Sequence, residues 1–206
     1  MIPRRPKYTQ KEVEIYDPEE IAALLGSIRS DAFKVAVHLL HKTGMRNEEA
    51  IHLKWTNVDF RRDEIRVRED VAANATIKDR AERTIPLHPD LRAVLLAWRA
   101  VRPDSLLVIG TDNDTPNRKL LQTLKRAARN AGLNCGNCEG CRGPKECSRW
   151  YLHKFRATFT TTLLRSMDAR SVMKITGHED VETVLRYWKP LGRKESAAKV
   201  ANISWG

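Results

Sequence analysis

The stretch Val58-Asp59-Phe60-Arg61-Arg62-Asp63-Glu64-Ile65-Arg66-Val67-Arg68, answered further on by Arg83-Thr84-Ile85-Pro86-Leu87, decides the fold of this chain. Ile65 and Val67 alternate with Arg66 and Arg68, and Ile85 and Leu87 alternate with Thr84 and Pro86, the period of two expected of strands that bury one face. Arg61-Arg62-Asp63 reads as the turn after a short first strand. Thr76-Ile77-Lys78 leads into the polar run Asp79-Arg80-Ala81-Glu82, which places Lys78 at a hairpin. A small three-stranded antiparallel sheet is therefore expected inside a chain that otherwise reads as helical.

Working outward, Asp17 with Pro18, Glu19 and Glu20 forms a helix start with a capping-box acid and proline at the first turn. That helix should run to about 28. Dense apolar residues over 31–43 predict a buried helix that stops at Gly44, so Arg46 falls at a helix junction, and a third helix is expected over 47–54. Beyond the sheet, helical spacing returns over 89–101 and 117–131, with the apolar Leu106-Leu107-Val108-Ile109 between them. From Leu152 onward four short helices are expected, separated at 166–168, 177–180 and 190–192. The fold class is α+β, mainly α. Residues 1–16, with Arg4, Arg5 and Lys7 between prolines, read as an extended basic arm or linker, and the domain proper is expected over 17–206.

Composition narrows the partner. The 206 residues hold 37 Lys and Arg against 26 Asp and Glu, a net charge of +11, which calls for an anionic partner such as nucleic acid. No apolar run approaches the length of a membrane span, and the first residues hold no apolar signal core, so a cytoplasmic location without a membrane partner is expected.

Several short words carry chemistry: Thr43-Gly44-Met45-Arg46-Asn47-Glu48-Glu49-Ala50, Leu152-His153-Lys154-Phe155-Arg156, Thr176-Gly177-His178 and Leu185-Arg186-Tyr187. Guanidinium groups present planar paired donors that match phosphate oxygens and stay charged at working pH. Histidines and a lysine can move protons, and a tyrosine is a nucleophile once neighbouring cations favour its phenolate. Each residue also has a plain structural reading, as surface arginine, satisfied histidine or packed tyrosine; their order and conjunction raise the chemical one.

In that order, with the hairpin between, the words resemble the tyrosine recombinases of the phage integrase family, over nearly the whole chain from about Asp17. The resemblance implies a helical catalytic core with a small sheet, like that of the integrases. It implies that Arg46 and Arg156 hold the scissile phosphate, that His178 donates a further hydrogen bond, and that His153 accepts or orients a proton. Tyr187 would be the nucleophile and Glu49 the acidic partner of Arg46. Lys78, which aligns without a gap to the family hairpin, would be the acid at the leaving oxygen, although the turn here has no glycine. Strand exchange through a 3′-phosphotyrosine then needs neither ATP nor metal. Members of the family usually have an N-terminal DNA-clamping domain; the resemblance implies that residues 1–16 are the end of the linker from such a core-binding domain, the domain itself being expected absent, as in an excised catalytic domain or a minimal protein. The partner implied is double-stranded DNA, with a monomer expected for the domain alone and a tetramer on DNA for a full-length recombinase. A topoisomerase of type IB and a catalytically silent DNA-binding module stay open as alternatives.

Cys135, Cys138, Cys141 and Cys147 fall in one polar segment, 134–149, that is foreign to the family pattern. Their spacing, C-x2-C-x2-C-x5-C, suits four thiolates on a metal, structural zinc first and an iron–sulfur cluster as the alternative, with unliganded thiols the plain reading. Such a loop would fix the start of the helix that holds His153 and present Arg142, Lys145 and Arg149 to phosphates.

Overall fold

The computed structural model describes residues 13–68, 82–143, 146–188, 197, 199–202 and 204. Lys78 and Lys145 lie outside them, so the positions expected for these two side chains are not tested by the geometry.

The expected capping box at the first helix is formed: the Asp17 N–H donates to Glu20 at 3.1 Å and opens α1, Pro18–Ser27. Ser30 caps α2, Asp31–Thr43, which buries Phe33, Val35, Ala36, Val37, Leu39 and Leu40. This helix is the centre of the domain and packs against both α4 (Pro89–Val101) and α7 (His153–Leu164). Tyr16, read as the last residue of the arm, belongs to the core instead. It is 2% exposed, its N–H donates to Thr158 Oγ1 and its ring stacks on Trp150 at 4.6 Å.

The third helix is shorter than expected. α3 covers Asn47–Ile51, and Trp55–Asn57 form a 3-10 turn. The backbone between them is drawn away to pair with the apolar run after α4: Val108 N–H donates to Leu53 O at 2.8 Å and Trp55 N–H to Leu106 O at 3.1 Å. Three strands follow in the order β1 (Val58–Asp59), β2 (Glu64–Val67) and β3 (Arg83–Pro86), all antiparallel, with Ile65 opposite Ile85 and both fully buried. α5 begins at Leu120 rather than 117, because Asn117 turns its side chain onto the Lys119 N–H and holds the chain in a turn there. The cysteine segment contains a short helix, α6, Glu139–Arg142.

The last third forms α7, α8 (Ala169–Thr176) and α9 (Val181–Leu185), with Asp168 and Asp180 as side-chain caps. Of the fourth expected helix only a few residues are described, and 197 and 199–201 have helical backbone; the rest lies outside the described residues. α7 buries polar as well as apolar residues, Lys154, Arg156, Thr158 and Thr160 among them, and α8 packs on both β3 and α9. α2 and α8 thus both pack on α7, with α8 also against β3, and Arg156 sits in the first turn of α7. No helix among the described residues is long and apolar enough to cross a membrane.

Candidate active site

Arg156 is 1% exposed, and two helix ends hold it. α2 stops at Gly44, whose φ of +60° puts it in the left-handed region that ends helices, and an added Cβ there would collide with the Phe159 ring. The Gly44 carbonyl accepts from Arg156 NH1 at 2.9 Å. α8 stops at Gly177, φ +68°, and the Thr176 carbonyl just before it accepts from Arg156 NH2 at 2.7 Å. Carbonyls at helix C-termini carry partial negative charge, so they anchor the guanidinium, and among the described residues no carboxylate hydrogen-bonds to it.

The same terminus sets His178. Thr176 Oγ1 gives its proton to Val172 O at 2.8 Å and lies 2.6 Å from His178 Nδ1. With its own hydrogen spent, the hydroxyl can only accept, so Nδ1 carries the imidazole proton. The other ring nitrogen, Nε2, is 3.3 Å from Arg156 NH2 and accepts from it. His178 is held neutral, its pKa lowered to about 4 by burial and then by the charges of Arg156, Arg46, His153 and Arg83. Its ring lies 5.5 Å from that of Tyr187, whose carbonyl accepts from Thr161 Oγ1 at 3.2 Å.

Arg46 stands at the start of α3. Its backbone N–H and its NH1 both reach Glu49, at 2.8 and 3.1 Å. Glu49, expected as the partner of Arg46, also holds a second arginine. Arg83 NH1 and NH2 bind it at 2.9 and 2.6 Å in a paired contact, both side chains almost wholly buried. Burial by itself raises the Glu49 carboxyl, but the hydrogen bonds and charge of Arg83, with Arg46, more than reverse this and hold it below its ordinary range. Arg83 also donates from Nε to Ile175 O at 3.2 Å, and its Cδ fills the space where a Gly177 Cβ would stand. Sequence reasoning missed Arg83. The available signal was its register: it shares the inward face of β3 with Ile85, a charged residue on a buried stripe.

His153, first residue of α7, is open to solvent on one side, yet partial burial of its ring and the charges of Arg156 and Arg46 lower its pKa. Arg156 itself is lowered to about 10, first by burial and then by repulsion from Arg46 and Arg83, and so stays charged at neutral pH. Arg46, His153, Arg156, His178, Tyr187 and Glu49 are therefore brought together, with Arg83 added. Arg142 is the last residue of α6, and Arg149 pairs with Glu20 at 3.3 Å.

The four cysteine sulfurs gather in a second nest, all within 4.8 Å of one another and none in a disulfide. Cys147 is buried and the other three half-buried, a donor set fit for a metal ion.

The model of the phage integrase family matches residues 15–192. A XerC-like tyrosine recombinase of Caldanaerobacter subterraneus is 21% identical over 99% of this chain and 57% of its own length. Tyrosine recombinase XerA of Saccharolobus solfataricus is 25% identical over 90% of this chain and 55% of its own length. The chain thus spans little more than half of these two relatives. Among solved structures, a XerA recombinase superposes over 100% of this chain and 68% of its own, with TM-score 0.70 and 19% identity. XerH bound to palindromic difH substrate superposes over 97% of this chain and 56% of its own, with TM-score 0.68 and 19% identity. With the family model covering α1 through α9 and the same helical fold around a three-stranded sheet, this chain belongs to the phage integrase family and is a tyrosine recombinase catalytic domain.

Proposed function

We propose that this domain cleaves and rejoins double-stranded DNA by attack of Tyr187 on a backbone phosphate. The Tyr187 oxygen bonds to phosphorus as the bond to the 5′ oxygen breaks, leaving a 3′-phosphotyrosine and a free 5′-hydroxyl. The phenol proton passes to His153, whose lowered pKa keeps a free imidazole lone pair at neutral pH. Arg156 and Arg46 bind the non-bridging oxygens. Lys78, on its gapless alignment to the family hairpin, protonates the departing oxygen. Because the ester keeps the phosphate activated, a 5′-hydroxyl from another strand reverses the step, with no cofactor.

One observation carries this reading: a buried, fully charged guanidinium held by two helix ends beside the His178 and Tyr187 rings. Fixed donors aimed at developing negative charge are usually the largest catalytic contribution, each about 3 kcal/mol. His178 has one further requirement. In the DNA-free network its Nε2 accepts, so donation to a phosphate oxygen needs that nitrogen to gain a proton as Arg156 turns to the substrate. The incoming phosphate charge favours this uptake.

In its setting the domain acts on cellular DNA in the cytoplasm. It is a monomer alone and works within a tetramer when full-length, Arg142, Lys145 and Arg149 adding phosphate contacts. We read the four-cysteine nest as structural, with no group of its own on the reacting phosphate. The test is a degenerate pool of nicked suicide duplexes: a covalent protein–DNA adduct that is lost in Tyr187→Phe supports cleavage. Binding without an adduct at any protein concentration would show a silent module, and relaxation of supercoiled plasmid without strand exchange would show a topoisomerase.

A further inference from the structure

We propose that Cys135, Cys138, Cys141 and Cys147 bind a single zinc ion, and that this ion locks the segment that positions His153. The lengths decide the nuclearity. Zinc–thiolate bonds of about 2.3 Å place the four sulfurs of a tetrahedron about 3.8 Å apart. The sulfurs of Cys135 and Cys141 are 3.8 Å apart, those of Cys138 and Cys147 3.9 Å, and those of Cys147 and Cys135 3.7 Å. Three edges of the tetrahedron are thus already at the zinc length, and the widest separation in the nest is 4.8 Å. An iron–sulfur cluster divides its thiolates among separate irons and needs the sulfurs spread further apart. A disulfide needs them near 2 Å, roughly half the distance found.

The backbone is shaped around the nest. Gly140 is buried, and a Cβ there would collide with the Glu146 carbonyl, so the two arms of the loop close to backbone contact. Ser148 N–H points at Cys138 Sγ at 3.5 Å, the kind of outer hydrogen bond that steadies a metal-bound thiolate.

From the nest a short chain of contacts leads to the active site. Cys147 is 1% exposed, and its carbonyl accepts from the Trp150 N–H at 3.5 Å. The Trp150 indole donates to Leu133 O at 3.1 Å, which ties the far end of the same loop, and its ring stacks on Tyr16. Tyr16 Oη in turn exchanges hydrogen bonds with the Tyr151 carbonyl and N–H, each 3.0 Å. Two residues later α7 begins with His153. The cysteines are therefore positioning residues for His153, acting through Trp150 and Tyr151.

The metal site stands on geometry alone, while its effect on cleavage rests on the reading of Tyr187 as nucleophile; the two are separated by their readouts. Purified full chain is analysed for metal, then stripped and titrated with zinc or with cobalt(II) alone. One zinc per chain, and the intense visible absorption of tetrahedral thiolate-bound cobalt, are expected, both lost in Cys138→Ser with Cys141→Ser. Protein isolated without metal whose stripped form takes up neither ion, or protein that holds iron as a cluster, overturns the site. Hydrogen exchange of residues 146–153 follows the stripped and reloaded forms, so that general unfolding is distinguished from local loosening. Stripping is expected to speed exchange there and to slow adduct formation by roughly tenfold or more, since a misplacement of 1 Å at a reacting group costs on the order of 100-fold. Equal adduct rates with and without zinc overturn the coupling and leave the metal site standing. If zinc-loaded protein forms no adduct, the cleavage reading fails instead.

Discussion

Replacing Arg83 by Met removes the cation that shares the core with Glu49. The two side chains are 4% and 2% exposed and joined by hydrogen bonds of 2.9 and 2.6 Å. Breaking a buried pair from one side typically costs 3–5 kcal/mol, because the remaining charge is stranded. Glu49 keeps the Arg46 N–H and guanidinium, so the lower end, about 3 kcal/mol, is expected. For a domain of this size that is a fall in melting temperature of roughly 6–12 °C. The pH dependence gives a second, sharper sign. In the native protein the depressed Glu49 pKa adds stability above the ordinary carboxylate range, which is lost as pH falls through the folded value. In Arg83→Met, burial dominates and the carboxyl takes up a proton on folding, so the deficit against wild type should shrink as pH drops from 7 to 5. Thermal unfolding of wild type, Arg83→Met, Glu49→Met and the double variant at several pH values measures both effects, with a coupling of about 2 kcal/mol expected. Additive single effects, or a deficit that grows toward acid pH, would refute the reasoning.

Thr176→Val keeps the shape of the residue but removes the oxygen that accepts from His178 Nδ1; adduct formation should fall about tenfold with a displaced acid limb in its pH profile, while an unchanged profile would reject the tautomer assignment. The His41 pKa is lowered to about 4 by burial, then by Lys42 and His38, against 6.5 when free, so the unfolded chain binds its proton first as pH falls. Stability should be complete above about 6.5 and drop by about 2 kcal/mol between pH 7 and 5 from this group alone, a slope that denaturant unfolding of His41→Asn should flatten. Arg142→Ala should weaken DNA binding evenly across sequences and reduce the salt slope of affinity by about 1, measured by anisotropy; an unchanged slope removes Arg142 from the interface.

The sequence revealed elements wherever local signals acted alone. Asp17 with Glu20, the stops at Gly44 and Gly177, and the alternation of Ile65, Val67 and Ile85 all mark structure within a few residues, and each is found where expected. The site words were legible for the same reason. What escaped was set by contacts distant in sequence. Arg83 meets Glu49 across 34 positions, and Tyr16 meets Thr158 across 142. The overrun of α3 has the same origin: helical propensity near Leu53 loses to backbone pairing with Leu106 and Val108. That the two glycines matter less as flexible joints than as the ends that hold Arg156 could not be read from either word by itself.

The contacts around Arg156 also explain why the site needs so large a share of the buried polar residues. Arg46 and Arg83 meet one carboxylate, Glu49, and Arg156 feels both of these cations as repulsion. Arg83 is the one bound to Glu49 by paired hydrogen bonds while also supporting the turn at Gly177, so it neutralises the carboxylate most fully. Among the described residues Arg156 hydrogen-bonds to two neutral carbonyls and His178, and it feels Glu49 only at longer range, so its charge is the less compensated of the two. On the proposed reading, a cation left in a fixed place without a paired carboxylate suits an arriving phosphate, since the donors need not reorganise when charge moves onto the non-bridging oxygens. On the proposed function, rigidity in the fold and readiness at the site come from the same division of labour, Arg83 satisfied within the protein and Arg156 directed to the substrate.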